Sequence, residues 1–159
     1  MYNWLVFLHV FFALAFMLAH GVHATEVLSF RNEKDPERIL AFFSMVPKTT
    51  LIRVLTVLMG VSGFIAAFIT PWWRQGWVWT SAVVFLIISY IMYRYGGDYI
   101  GSTLDAAEHL IEARKTNTDV ETALREFDKA RTAPHPIVVS IVGMVGLAII
   151  LWLMRFKPF

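Results

Sequence analysis

Residues Leu51–Tyr93 read LIRVLTVLMGVSGFIAAFITPWWRQGWVWTSAVVFLIISYIMY. Two apolar runs, each of the length a membrane-spanning helix needs, flank the segment Thr70-Pro71-Trp72-Trp73-Arg74-Gln75-Gly76-Trp77. Pro71 and Gly76 punctuate a tight turn. Trp72, Trp73, Trp77 and Trp79 have the pattern of an interfacial aromatic belt. In lipid each backbone polar group must be satisfied inside its own segment, so both runs are expected to be helices that meet at one membrane surface.

Working outward, two further apolar runs appear. One extends from Trp4 to Leu28 without a lysine or arginine, the other from Pro136 to Met154. The expected architecture is all-α: a four-helix transmembrane bundle with spans at about 4–28, 51–70, 76–93 and 136–154, forming a single membrane domain over 1–159. Composition agrees. Of 159 residues, 57% are hydrophobic and only 16% charged, whereas a soluble domain carries about a quarter charged residues. That balance excludes a disordered chain, a nucleic-acid binder and an ordinary cytosolic enzyme. Cysteine is absent, which removes disulfides, thiolate metal sites and a cysteine nucleophile.

Charge orients the bundle. Arg31, Lys34, Arg38, Lys48 and Arg53 lie in or beside the first loop. Arg94, Arg114, Lys115, Arg125, Lys129 and Arg131 lie between the third and fourth spans. Only Arg74, Arg155 and Lys157 remain for the other side. The positive-inside rule then places loops 29–50 and 94–135 in the cytoplasm and both termini outside. Val22-His23-Ala24 has the form of a signal-peptidase site, but no basic residue precedes that run, so an uncleaved span is expected. Localisation follows as a multi-pass membrane protein.

The insertion 97–133 holds eight acidic and five basic residues. Ile100, Leu104, Ala107, Leu110 and Ile111 recur at helical spacing, and so do Val120, Leu124, Phe127 and Ala130. The expectation is a cytoplasmic amphipathic helical hairpin between helices 3 and 4. Gly96-Gly97 is expected to terminate the third span, Thr116-Asn117-Thr118 to break the hairpin, and Thr118 with Glu121 to form a capping box. Glu121 and Arg125 make a favourable i,i+4 pair. Pro134 and Pro136 end the hairpin and open the fourth span. This segment lies against the bundle or offers a protein partner a docking surface.

Polar groups inside apolar spans are the functional leads, because a titratable side chain in hydrocarbon is costly. His9 and His20 are eleven residues apart and share one face of the first helix. His20 and His23 are i,i+3 neighbours, and His135 opens the fourth span at the same end. Imidazoles suit haem iron, copper or zinc. His9, His20 and His135 are candidate haem ligands; His20, His23 and His135 are candidate ligands for copper or another metal, or a path for an ion. The alternative is that they bond polar groups within the bundle. Arg53 begins the second span and either snorkels to the interface, pairs with Glu26 or Asp98, or meets an anionic lipid headgroup. Small residues in span two (Gly60, Ser62, Gly63, Ala66, Ala67) and span four (Ser140, Gly143, Gly146, Ala148) allow close helix packing within the bundle or at a homodimer seam. No nucleotide loop, nucleophile elbow, zinc-protease motif or EF-hand occurs.

Leu8-His9-Val10, the small-residue span closing in Gly60-x-x-Gly63 and Thr70-Pro71, and the terminal Leu153-Met154-Arg155-Phe156-Lys157-Pro158 carry a resemblance to the DUF2269 family, bacterial integral membrane proteins of unknown function. The resemblance covers nearly the whole chain and implies fold and location. More distantly, the first span is similar to those of the copper-resistance D domain and of four-helix haem-binding protoporphyrinogen oxidases; the latter likeness implies haem b with His9 as a ligand. Three readings follow. The first is a membrane protein without a catalytic site, an accessory subunit or a small-solute or metal-handling protein. The second is a haem-b redox protein or oxidase using His9. The third is metal binding or transport through His20, His23 and His135. The bilayer is the expected partner, with a protein partner at 97–133 and a homodimer as further possibilities.

Overall fold

The structure is a computed structural model and describes residues 2–44 and 48–159. It is helical: α1 spans Tyr2–Ser29, α2 Pro36–Ser44, α3 Lys48–Ile69, α4 Gly76–Ile91, α5 Gly97–Thr116, α6 Val120–Arg131 and α7 His135–Phe156. Among the described residues there is no strand. Four helices are long and apolar enough to cross a membrane. Their most apolar windows lie at or near the surface, with 0–17% of each window buried. That arrangement is costly in water and is what a lipid solvent favours.

The chain divides into two compact units. An apolar unit comprises Met1–His23, Pro47–Ser89 and Gly143–Phe159; a charged unit comprises Ala24–Val46 and Tyr90–Val142. All twelve Asp and Glu side chains of the chain fall in the charged unit, and the apolar unit has none.

Within the apolar unit, helices approach through small residues. A Cβ on Gly146 of α7 would overlap the Ile88 side chain of α4, and a Cβ on Gly60 of α3 would rest 3.8 Å from Phe85. Ser62, Ala66, Ala67, Ser81 and Leu153 are buried in the same unit. Close backbone approach at small residues maximises dispersion contacts where lipid offers no hydrophobic driving force.

The charged unit has its own buried apolar core. Phe30, Ile39, Ala107, Leu110, Ala113, Ala123 and Phe127 form one buried cluster, with Leu40, Phe42, Phe43, Leu104 and Val120 packed around it. Helix α2 supplies Ile39 and was not foreseen within the first loop. Its signal is local: Pro36 stands at the first helical position, and Asp35 caps the helix by accepting from the Glu37 N–H at 3.0 Å.

Three local expectations are corrected. Gly96-Gly97 does not end the third span's helix. A π-helical turn over Met92–Gly96 leads directly into α5, and both glycines keep right-handed helical dihedrals. A glycine costs a helix about 1 kcal/mol but does not stop it unless a left-handed residue or a proline follows. The capping box at Thr118 does not form. Asp119 is the cap, with φ of 54°, and its carboxylate accepts from the Thr122 hydroxyl at 2.8 Å, while the Thr118 hydroxyl donates to the Thr116 carbonyl. Asn117 ends α5 in the left-handed region, where asparagine is tolerated, so the break falls as expected. The buried face of α6 runs through Ala123, Phe127 and Arg131, and Leu124 is 39% exposed. The Glu121–Arg125 pair is present at 2.5 Å.

Candidate functional site

His9 of α1 reaches across to α3 within the apolar unit. Its Nδ1 lies 2.9 Å from the Met59 carbonyl oxygen and 3.4 Å from the Ser62 hydroxyl. A carbonyl only accepts, so Nδ1 carries the hydrogen and donates. Ser62 donates to the same carbonyl at 3.0 Å. In the neutral ring this arrangement leaves the lone pair on Nε2. Gly63 makes the approach possible, since a Cβ there would stand 2.7 Å from Cε1 and 2.9 Å from Nδ1. The polar pair therefore latches α1 to α3 inside the apolar unit. A bond of this kind is worth about 0.6 kcal/mol on average between membrane helices.

The other histidines are placed differently. The His20 ring stacks on Phe16 with centroids 5.2 Å apart and an interplanar angle of 13°. Its Nδ1 is buried and has no hydrogen-bond partner among the described residues. His23 lies three residues on in the same unit. His135 belongs to the charged unit, where its ring stacks on Tyr95 at 6.2 Å and its Nδ1 is likewise buried without a partner. Glu26 and Asp98 also belong to the charged unit, and Asp98 bonds Arg94 of its own segment. Arg53 is exposed and forms no ion pair with a carboxylate among the described residues; the side chain of Lys48 lies outside them.

Among the described residues no group of three His, Cys, Asp or Glu side chains is placed to hold a metal ion. A bis-histidine haem requires imidazoles from two helices facing each other. His9, His20 and His23 are the histidines of the apolar unit, and all three are on α1. That unit does not fit a bis-histidine haem at His9. His9 itself is half-buried and bonds a backbone carbonyl through Nδ1.

One end of the apolar unit gathers its tryptophans. Tyr2 of α1 meets Trp72 edge-on at 5.5 Å, and Trp72 meets Trp77 at 5.7 Å. The Trp79 Nε1–H donates to the Trp73 carbonyl at 2.7 Å. After α7, Lys157 takes a left-handed backbone with φ of 47°, which turns the chain back. The Trp77 N–H then donates to the Phe159 carbonyl at 3.1 Å, capping the start of α4. The Phe159 ring fills the space over Gly76, where a Cβ would stand 2.6 Å from it. The beginning of α1, the α3–α4 turn and the end of α7 are thereby tied together. Sequence reasoning found the belt but not the role of Phe159, which carries no motif.

The charged unit has its own clasp. The buried Arg131 side chain donates through Nε to Asp128 at 2.8 Å and through Nη1 to the Arg31 carbonyl at 2.5 Å. Arg31 donates in turn to the Ala133 carbonyl. The Tyr99 hydroxyl donates to the Arg131 carbonyl at 2.9 Å. These bonds fix the segment after α1 to the end of α6.

Comparison of the chain with protein-family models, with curated proteins and with solved structures finds no match.

Proposed function

We propose that this chain is a non-enzymatic accessory protein of a bacterial inner membrane, in which the apolar unit lies in the bilayer and the charged unit offers the cytoplasm a folded surface for a protein partner. One observation carries the reading: the chain sorts its chemistry by unit. The apolar unit has no Asp or Glu and leaves its apolar helices uncovered, whereas the charged unit holds all twelve Asp and Glu side chains around a core in which Ile39, Leu110 and Phe127 are fully buried. A core of that quality is what an exposed loop segment needs in order to stand in water. The basic residues of both loops favour the cytoplasmic side for this unit. The insertion 97–133 then forms a cytoplasmic helical hairpin braced by α2. The DUF2269 resemblance agrees with this location.

The test is purification of the full chain from native membranes in mild detergent, with sizing, an absorption spectrum and metal analysis of the same sample. The reading expects co-purification with a stoichiometric protein partner that is lost when exposed Glu108 and Glu112 are changed to arginine. A chain that elutes alone with stoichiometric haem or metal would overturn it.

A further inference from the structure

The aromatic end of the apolar unit holds three basic side chains and no acidic side chain. Arg74 lies over the Trp73 ring at 5.1 Å, Arg155 over the Phe156 ring at 5.9 Å, and the Lys157 ammonium over the Trp72 ring at 4.0 Å and the Trp77 ring at 5.6 Å. Aromatic faces orient a cation and attract it, but they do not neutralise it. The unit's sequence supplies no Asp or Glu anywhere. Among the described residues none of the three is ion-paired to a carboxylate, and a tryptophan girdle sits at headgroup depth, where an anionic group can meet them.

We infer that this end of the apolar unit is a binding surface for the phosphates of anionic phospholipids, with Arg74, Arg155 and Lys157 as its cations. Each ring holds its cation on the protein, which lowers the ordering cost of meeting a phosphate. The guanidinium forks of Arg74 and Arg155 match phosphate oxygens in pairs, and the Lys157 ammonium adds a point charge. Near a membrane surface each basic residue adds to the attraction for anionic lipid. The surface is distinct from the cytoplasmic interface marked by Arg53. The inference rests on the membrane reading of the apolar unit, and the experiment separates the two.

All six tryptophans of the chain lie in this unit, at positions 4, 72, 73, 77, 79 and 152. Tryptophan emission therefore reports directly on lipids at the girdle. The full chain is reconstituted into mixed vesicles in which either the phosphatidylglycerol or the phosphatidylcholine carries bromine, at matched mole fraction. The expected result is several-fold stronger quenching by brominated phosphatidylglycerol, declining as salt is raised. Inorganic phosphate in the buffer leaves that preference in place. In the variant R74Q/R155Q/K157Q the two lipids quench alike, while R74K/R155K/K157R, which keeps the charge, retains the preference. Equal quenching of the native chain by both lipids, a preference that salt does not alter, or its loss to inorganic phosphate would overturn the inference and leave the membrane reading standing. An absence of quenching by either lipid would overturn the membrane reading itself.

Discussion

The Arg131 guanidinium donates to the carbonyl oxygen of Arg31 at 2.5 Å, across a hundred residues of sequence, while Arg31 donates to the carbonyl of Ala133. Each arginine thus satisfies a backbone group of the other's segment. Arg131 is buried, and its bond to Asp128 completes the fork. Replacement by alanine leaves the Arg31 carbonyl without its donor and opens a void beside Phe127. A loss of about 1–3 kcal/mol is expected, the cost of an unsatisfied buried polar group. Arg131→Lys does not restore it, because an ammonium cannot reach both acceptors in the planar geometry of a guanidinium. Denaturant titration of helicity in detergent measures both variants.

Phe127 and Leu124 are three residues apart on α6, yet one is fully buried and the other 39% exposed. Phe127→Ala should cost about 3–5 kcal/mol by cavity formation in the α2–α5–α6 core. Leu124→Ala should change stability by less than about 0.5 kcal/mol, as surface substitutions do. Limited proteolysis at the Asn117–Asp119 turn resolves the two: rapid cleavage for the first, native resistance for the second.

Gly63 admits the His9 ring, so Gly63→Ala should push it off the Met59 carbonyl. The expected outcome is lower thermal stability in detergent, with no further loss when His9→Leu is added, because both changes remove the same contact. Additive losses would show that His9 does other work in the bundle.

Gly146 faces Ile88 where α7 crosses α4, and an added methyl overlaps the isoleucine side chain. Gly146→Ala should therefore destabilise the apolar unit, and Ile88→Ala in the same chain should recover part of that loss. A double-mutant cycle on thermal midpoints measures the coupling.

The four apolar helices were legible because span length and hydropathy are properties of single segments. The Leu51–Tyr93 stretch alone fixes two spans and their turn. Helix α2 was legible in principle, since Asp35-Pro36-Glu37 is a start signal, but four aromatic or aliphatic residues in a short charged loop are easily read as loop. Gly96-Gly97 misled because glycine ends a helix only by adopting a left-handed backbone, and nothing local distinguishes that from the helical dihedrals observed. Leu124 misled because a stripe of apolar residues gives the face of a helix only to within half a turn; Ala123, small enough for close approach, took the inner position. The contact between His9, Met59 and Gly63 was not legible, because the register between two spans is a tertiary fact. The same holds for Phe159 over Gly76.

In the proposed arrangement the apolar unit lies in lipid and the charged unit in cytoplasmic water. The chain has no cysteine, so single cysteines report without background. Leu18 and Met144 are 73% and 72% exposed on the protein itself, so only surrounding lipid would shield them from a water-borne reagent. Cysteines at these positions and at exposed Asp105 and Glu121 are treated with a membrane-impermeant maleimide in right-side-out and inverted vesicles. The account predicts that positions 105 and 121 label in inverted vesicles alone, while positions 18 and 144 label in neither. Labelling of positions 18 and 144 in intact vesicles, or of 105 and 121 from the outer face, would contradict it.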